Sequence, residues 1–327
     1  MKTKNITFID LFSGIGGFRL ALEKQNFKCS FSSEINSHAC EMYQLNYGDN
    51  PFCDITQFDP NNLNNFDILC GGFPCQAFSI AGKKLGFEEA RGTLFFDICR
   101  ILSVKKPKVV FLENVKNLTL HDNGNTIKVI IQSLEDLGYF VQYKVLNAKD
   151  FGVPQNRERI FIVASLDKPF NFDKVKQHSK FVKIKDILEN NTDYLKPNEY
   201  TLLTNTNKND KSGLIFAGYL NKTIRKGVKE NSLHLSRVHR QPNRIYSVLG
   251  THPTLSSQES AGRYYILLEN NQVRKLTIRE CIRLMGFPED FKLTGGKNQI
   301  YQRLGNSVCV PMVTAIADEI KNQFFTF

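Results

Sequence analysis

Short apolar runs alternate with amphipathic stretches over the first half of the chain, which predicts an α/β fold. Compact runs of branched and aromatic residues predict strands at 6–12, 28–33, 66–70, 108–112, 143–147 and 160–164. Between them, apolar residues recur at helical spacing from residue 18, over 91–104 and over 126–137. This order is typical of a Rossmann-like, doubly wound sheet. Near the C-terminus, Thr277 and Glu280 match a capping box at the start of a helix, and Gly286 is a residue typical of a helix end, which together predict another helix.

A glycine-rich turn, Ser-Gly-Ile-Gly-Gly at 13–17, follows the first strand. Glycines at such a turn let the backbone approach a cofactor closely, although the spacing is not the dinucleotide-binding G-x-G-x-x-G. Glu34 closes the second strand, where folds of this kind hold ribose hydroxyls. Asp54 follows a third short element and is placed to accept a hydrogen bond from an adenine amino group. Each feature alone is weak, but their order on successive strands favours a nucleotide-like cofactor.

Cys75 stands in a rigid turn, Gly-Gly-Phe-Pro-Cys, directly after the strand at 66–70. Proteins with α/β sheets bind ligands at the ends of strands, and Pro74 restricts the backbone immediately before the thiol. Most cysteines are small buried hydrophobes. Whether Cys75 is reactive therefore depends on what other side chains the fold brings to it.

Charged side chains at other strand ends are candidate partners for Cys75. Glu113 ends the strand at 108–112, and a carboxylate at such a position suits acid catalysis. Arg157 and Arg159 occupy alternate positions at a strand start, so we expect them to point to one side and clamp an anionic or carbonyl group. The glycine- and lysine-containing segment 80–90 is either a lid over the site or a plain surface loop.

The second half of the chain has a different character from about residue 166 onward. Between residues 211 and 250, eight basic residues face one acidic residue, a balance of +7 (8 − 1). Arg237, Arg240, Gln241 and Arg244 belong to this stretch, and arginine and glutamine are side chains that pair with base edges in the major groove. A solvated basic face is the alternative. The region predicts a small, mostly β module set into the chain.

Composition and charge narrow the class of protein. The chain has 327 residues, and its 43 basic and 32 acidic residues give a net charge of +11, which favours a polyanionic partner such as nucleic acid. The N-terminus lacks a signal-peptide core, and no run reaches the roughly 18 apolar residues of a membrane span. The eight cysteines show neither C-x-x-C nor zinc-ligand spacing. We therefore expect a cytoplasmic protein with free thiols and with no metal and no membrane partner.

Six motifs in order make the chain similar to the DNA (cytosine-5)-methyltransferases, nearly from end to end. They are FIDLFSGIGG at 8–17, FPCQ at 73–76, ENV at 113–115, QNRER at 155–159, REC to FP from 279 to 288, and LGNSV at 304–308. The resemblance implies an S-adenosylmethionine-dependent methyltransferase sheet over 1–185 plus 296–327. It also implies an inserted, mostly β target-recognition domain with its hinge over 186–295.

The resemblance also assigns roles to particular residues. Cys75 would be the thiolate that attacks cytosine C6, Glu113 the acid at N3, and Arg159 the arginine near O2, with Arg157 supporting the site. S-adenosylmethionine would be the methyl donor and S-adenosylhomocysteine the product. The residues expected to bind the cofactor are Phe12, Gly14, Ile15, Gly17, Glu34, Ile35, Asp54, Ile55, Pro74, Asn306 and Ser307.

Double-stranded DNA is the implied substrate, with the target base flipped out of the helix. The residues expected to contact DNA are Ala81, Arg237, Arg240, Gln241, Arg244 and Thr254. Gln241 would fill the space that the flipped base leaves. Two positions depart from the family pattern, since Ala81 replaces a serine and Ile35 an aromatic residue. We further expect a bacterial monomer, associated with the nucleoid through DNA and belonging to a restriction-modification system.

Two alternatives stand beside this interpretation. One is a related cytosine-5 methyltransferase that acts on transfer RNA, against which the long basic insertion argues. The other is a DNA-binding repressor that has lost catalysis, against which the presence of Cys75, Glu113 and Arg159 argues.

Overall fold

The structure is a computed structural model that describes residues 5–74, 94–209, 211–222, 229–257 and 265–326. Cys75, Ala81 and the segment predicted as a lid at 80–90 lie outside the described residues.

The described residues form thirteen strands and seven α-helices. The strands are β1 Thr7–Leu11, β2 Lys28–Ser33, β3 Ile68–Gly72, β4 Val109–Val115, β5 Phe140–Asn147, β6 Gln155–Asn156, β7 Glu158–Ser165, β8 Tyr200–Lys208, β9 Ile215–Leu220, β10 Arg244–Ser247, β11 His252–Pro253, β12 Tyr265–Leu267 and β13 Val273–Lys275. The helices are α1 Gly17–Glu23, α2 Ser37–Tyr47, α3 Leu94–Lys105, α4 Asn125–Asp136, α5 Ile278–Met285, α6 Lys297–Asn306 and α7 Val310–Phe324. None of these helices is long and apolar enough to cross a membrane.

The chain divides into two compact units. Unit 1 comprises Met1–Leu146, Glu158–Lys176 and Met312–Phe327, and unit 2 comprises Asn147–Arg157 and Gln177–Pro311. Compactness thus places 147–157, 177–185 and 296–311 in unit 2, whereas the sequence-based division places them in the catalytic domain. The sequence-based division is a functional one, since it separates residues expected to recognise DNA from those expected to catalyse the reaction, and it stays a prediction.

A six-stranded sheet with the order β2-β1-β3-β4-β7-β5 forms the centre of unit 1. Strands β1 to β4 are mutually parallel where they pair, but β7 runs antiparallel to β4. Residues 109–112 of β4 are fully buried, which explains why central strands appear in the sequence as continuous apolar runs. The expected α/β sheet is present, and it is a mixed sheet, because β7 is antiparallel to its neighbour β4. Apolar runs reveal that strands exist but do not reveal their direction.

Unit 2 contains a five-stranded sheet with the order β13-β12-β10-β9-β8 and a two-stranded pair of β11 with β6. The described residues between 200 and 275 contain strands and short 3-10 turns and no α-helix, in agreement with the mostly β character predicted for this part of the chain. Helix α5 follows, and its predicted capping box is also present: the Glu280 amide donates to Thr277 Oγ1 at 3.1 Å, and the Thr277 amide to Glu280 Oε2 at 2.8 Å. Gly286 ends the helix with φ of 73°, as predicted.

Candidate active site

The glycine turn after β1 forms a tight cradle in unit 1. Gly14 and Gly16 have φ angles of 55° and 83°, in the left-handed region that glycine adopts without strain. A side chain at Gly16 would collide with the ring of Tyr47, whose hydroxyl donates to the Gly16 carbonyl at 2.7 Å. Phe12 also has a positive φ, 56°. The turn is therefore held in one conformation, with Ile15 buried beneath it and Gly17 opening α1.

Glu34 joins this turn to the start of α2. Its Oε2 accepts from the Gly14 amide at 2.9 Å, while its Oε1 accepts from the amides of Ile35 and Asn36 at 3.0 and 2.8 Å. A carboxylate held by three backbone amides has a fixed direction at the rim of the sheet. The structure thus brings together two predicted cofactor residues, Gly14 and Glu34.

Apolar side chains lie exposed on both sides of Glu34. Ile35 follows it in sequence and is 65% exposed, and Phe52, which pairs with Glu34 in a parallel bridge, is 63% exposed. Asp54 is exposed as well, and its Oδ1 accepts from the amide and hydroxyl of Thr56. Exposed apolar surface beside fixed carboxylates suits a ligand with a flat ring and polar edges.

Arg100 of α3 holds the turn that carries Asp54 and the buried Ile55. Its guanidinium donates to the carbonyls of Ile55 and Phe58 at 2.6 and 2.7 Å. The turn is therefore held in place by a residue of helix α3. No motif in the sequence indicates this contact.

Asp10 lies on β1 beneath the glycine turn and is fully buried. Among the described residues, neither of its carboxylate oxygens has a hydrogen-bond partner of good geometry. Burial raises the pKa of Asp10 to about 8, and the Arg19 amide and the Arg19 charge offset this only in part. The carboxyl group is therefore protonated at neutral pH.

A second constellation in unit 1 lies where β3 and β4 end. Glu113 pairs with Gly72 in the parallel ladder, so Cys75 follows the ladder partner of Glu113 by three residues. Arg159 on β7 places its Nε 3.1 Å from Glu113 Oε1, with side chains only 13% and 11% exposed. The structure therefore brings Glu113 and Arg159 together, as the sequence analysis expected of two groups serving one site.

Asn114 anchors the turn that leads to Cys75. Its Nδ2 donates to the Phe73 carbonyl at 3.0 Å, and its Oδ1 accepts from the Val115 amide at 2.7 Å. Phe73 is buried, and Pro74, the last described residue before the gap, is exposed. The side chain next to the predicted acid thus fixes the backbone two residues before the predicted nucleophile.

Arg157 does not form a clamp with Arg159. It lies between β6 and β7 rather than on a strand, and it is only 2% exposed. Its guanidinium donates to the carbonyls of Leu255, Gly305 and Ser307 at 3.2, 3.1 and 2.7 Å, all within unit 2. The expectation that both arginines point to one side is wrong, because the strand starts at Glu158. Arg157 holds the segments at 255 and 305–307 in place.

The other predicted residues of unit 2 fall into two groups. Asn306 is exposed at the end of α6, while Ser307 is buried, and Gly305 packs so closely on the Ser256 backbone that no side chain would fit there. The hydroxyl of Thr254 donates to the Asn156 carbonyl at 2.8 Å. Of the residues predicted to contact DNA, Arg237, Arg240 and Gln241 are exposed, and Arg244 is half-buried.

Four residues of unit 1 have no role predicted from the sequence: Tyr47, Arg100 and Asn114, which position these groups, and the buried Asp10. An acid inside an apolar strand is an anomaly visible in the sequence, so Asp10 could have been singled out. Asn114 lies next to a predicted catalytic residue. Tyr47 and Arg100 act through contacts across 31 and 45 residues of sequence, and no local pattern reports them.

Comparison with known proteins agrees with this geometry. The family model for C-5 cytosine-specific DNA methylases matches residues 6–322. The chain is 41% identical to the Type II methyltransferase M.HhaI of Haemophilus parahaemolyticus, covering 98% of this chain and 96% of that one. It is 45% identical to the Type II methyltransferase M.HaeII of Haemophilus aegyptius, covering 98% and 94%. The crystal structure of the S. pombe Dnmt2 methyltransferase has the same fold, with a TM-score of 0.68 at 21% identity over 98% of this chain and 100% of that one. Since the family model spans nearly the whole sequence, this chain belongs to the C-5 cytosine-specific DNA methylases.

Proposed function

We propose that this chain recognises a specific sequence in duplex DNA, turns one cytosine out of the helix and methylates its C5, with Cys75, Glu113 and Arg159 as catalytic residues. The chain is a DNA (cytosine-5)-methyltransferase that uses S-adenosylmethionine, because it belongs to that family. The Type II names of its relatives favour a role as the modification enzyme of a bacterial restriction system, acting in the cytoplasm on nucleoid DNA.

The rim of unit 1 has the features that an adenosyl cofactor needs. The glycine turn offers close backbone approach, the Glu34 carboxylate is aimed by three amides, and Ile35 offers exposed apolar surface. We infer that Glu34 holds the ribose and that Asp54 and Ile55 contact the adenine, with Phe12, Gly14, Ile15, Gly17 and Pro74 lining the pocket. Asn306 and Ser307, which belong to the last family motif, are further proposed cofactor contacts. When bound, S-adenosylmethionine supplies the methyl group that cytosine C5 accepts.

Cys75 makes C5 reactive by covalent addition. Cytosine C5 is a poor nucleophile, so the Cys75 thiolate adds to C6 and converts the ring into an enamine, whose C5 carries the electron density. After C5 has gained the methyl group, removal of the C5 proton restores the double bond and expels the Cys75 sulfur. Cys75 is three positions after Gly72 in the sequence, and three positions of extended chain span about 10 Å at most. This reach supports an approach to Glu113, the ladder partner of Gly72.

Glu113 and Arg159 stabilise the charge that this addition creates. Negative charge develops at N3 as sulfur adds to C6, and a proton donated by the Glu113 carboxyl neutralises it. Arg159 lies beside this carboxyl group, with its Nε 3.1 Å from Glu113 Oε1, and donates to O2 of the base. Arg157 supports the site by positioning backbone and is not itself a catalytic residue.

Unit 2 is suited to recognise the DNA sequence. Strands β9 and β10 of its sheet lie within the basic stretch between 211 and 250, and Arg237, Arg240 and Gln241 are exposed at positions between these two strands in the chain. We infer that residues 186–295 form the target-recognition domain, that Gln241 occupies the space left by the flipped base, and that Arg244 and Thr254 belong to the same surface. Ala81, in place of a serine, contributes no hydrogen bond to that task.

The contact between Glu113 and Arg159 beside the turn to Cys75 is the observation that carries this proposal. The experiment is methyl transfer from tritium-labelled S-adenosylmethionine to unmethylated genomic duplex DNA and, in parallel, to transfer RNA. Bisulfite sequencing then locates the modified bases. We expect label in DNA alone, at cytosines within one short sequence. Label confined to transfer RNA, or label at DNA positions other than cytosine C5, would overturn the proposal.

A further inference from the structure

Residues 229–244, which we call the recognition segment, contain one buried side chain among those that the structure describes, and it is His239. The segment has little regular structure of its own: short 3-10 turns at 236–238 and 241–243 lie on either side of His239. Before β10 begins at Arg244, the described residues 229–243 contain neither a strand nor an α-helix, and such a segment gains its shape from the few contacts that hold it in place. Its conformation therefore depends heavily on this one residue.

The His239 ring is held from two sides. It stacks on Tyr219 of β9, with ring centroids 4.1 Å apart and an interplanar angle of 16°, and it lies 5.8 Å from the ring of Phe216 on the same strand. Its Nε2 lies 2.8 Å from the Leu233 carbonyl oxygen. A carbonyl only accepts, so Nε2 carries the proton. The ring thereby joins the start of the segment to the sheet of unit 2.

The backbone of His239 is fixed as well. Arg244 donates from both Nε and Nη2 to the carbonyl oxygen of His239, at 3.2 and 3.0 Å. This pair of hydrogen bonds closes the turn between residues 239 and 244. Arg240 and Gln241 lie inside that turn, and both are exposed. Burial and the nearby Arg244 charge lower the pKa of His239, so the stacked ring is uncharged at neutral pH.

We propose that His239 is a positioning residue that sets the DNA sequence preference of this enzyme. It does so by fixing the directions in which the side chains of Arg240 and Gln241 project from the recognition segment. Hydrogen bonds to base edges require correct direction, whereas contacts to phosphates tolerate displacement. Loss of the His239 contacts should therefore weaken discrimination between sequences far more than it weakens DNA binding itself. This inference rests on the proposed role of unit 2 in DNA recognition.

The test uses the full-length enzyme, S-adenosylmethionine and a library of duplexes with randomised positions around cytosine, analysed by bisulfite sequencing. Wild type should enrich one short sequence. We expect His239→Ala to lower that enrichment about tenfold or more, as loss of one directed base contact does. Total methyl transfer to the library and the Kd for S-adenosylhomocysteine should stay within about threefold, because phosphate contacts and the cofactor site are untouched.

Two further variants keep the test decisive if His239→Ala is unstable. His239→Phe keeps the stack on Tyr219 and loses the bond to Leu233, and His239→Gln keeps a donor and loses the stack. Each should show an intermediate loss of enrichment. Tyr219→Phe is the matched control, since it keeps the ring under His239 and should preserve the wild-type preference.

The inference would be overturned by an unchanged preferred sequence in all folded His239 variants, or by an equal loss of methylation at preferred and random sequences. The variants Arg240→Ala and Gln241→Ala show whether such a result removes only the role of His239 or also the proposed role of the recognition segment in reading DNA. An altered preference in those two variants with none at His239 removes only the positioning role of His239. No change in any variant of the segment removes its role in recognition altogether.

Discussion

Asp10 provides a sharp physical test of the fold, because a buried carboxyl group links folding to pH. Its side chain is fully buried on β1, and burial raises its pKa from 3.8 to about 8. The Arg19 amide and charge and the Cys70 thiol lower the pKa, but less than burial raises it, and the Glu34 charge adds to the rise. The folded protein therefore keeps a proton on Asp10 that the unfolded chain releases near pH 4.

The size of the effect follows from the two pKa values. Between about pH 4 and pH 8 the folded state binds one more proton than the unfolded state, so stability falls as pH rises. The slope is about 1.4 kcal/mol per pH unit, which amounts to roughly 3 kcal/mol between pH 5.5 and 7.5. Above pH 8 the folded state also loses the proton and the slope vanishes.

Urea unfolding of wild type and Asp10→Asn at pH 5.5, 6.5 and 7.5 measures this effect. Asparagine has the same shape and no titrating proton, so subtracting the variant removes the contributions of all other groups. The free energy of unfolding of wild type relative to Asp10→Asn should fall by about 1.4 kcal/mol per pH unit. A wild-type minus Asp10→Asn difference that is constant across this range would refute the burial of an uncompensated carboxyl group.

Three further substitutions test the site. Glu113→Gln removes the proton donor and should lower the single-turnover rate about 10²- to 10⁴-fold while cofactor affinity stays unchanged; a rate within threefold of wild type would contradict the acid role. Arg157→Lys cannot reach the carbonyls of Leu255, Gly305 and Ser307 together and should cost about 2–4 kcal/mol in urea unfolding, and an unchanged midpoint would show that these contacts contribute nothing. Gly16→Ala places a methyl group against the Tyr47 ring at φ of 83° and should weaken S-adenosylhomocysteine binding at least about tenfold by calorimetry. Wild-type affinity in that variant would show that the turn tolerates rearrangement.

Local patterns in the sequence predicted many elements of the fold and the strand ends at which the candidate residues lie. The strand at 28–33 and the capping box at Thr277 and Glu280 are where the apolar spacing and the capping residues place them. Their signals are local, because strand burial and helix capping depend on neighbouring residues. The order of Gly14, Glu34 and Glu113 along successive strands predicted that these residues lie at strand ends, since strand ends meet at one edge of a sheet, and the roles assigned to them and to Cys75 stay predictions.

Features that depend on contacts between distant residues were not predictable. Strand β7 pairs antiparallel with β4, for example Ala164 with Val110, and a pairing across 54 residues (164 − 110) leaves no local signal in the sequence. Arg157 and Arg159 share a motif and a spacing, yet one binds carbonyls of unit 2 and the other binds Glu113. The role of His239 depends on a stack with Tyr219, a contact that no periodicity in the sequence reports.

Trapping of the covalent intermediate tests the central claim, that Cys75 attacks cytosine C6, most directly. Duplex DNA synthesised with 5-fluorodeoxycytidine in place of deoxycytidine carries fluorine where the C5 proton would leave, so the adduct cannot resolve. Incubation with the enzyme and S-adenosylmethionine, followed by protease digestion and mass spectrometry, identifies the attached residue. The account predicts a denaturant-stable complex joined through Cys75 and absent in Cys75→Ser. A complex joined through any other residue, or equal methyl transfer to ordinary DNA by Cys75→Ser, would contradict it.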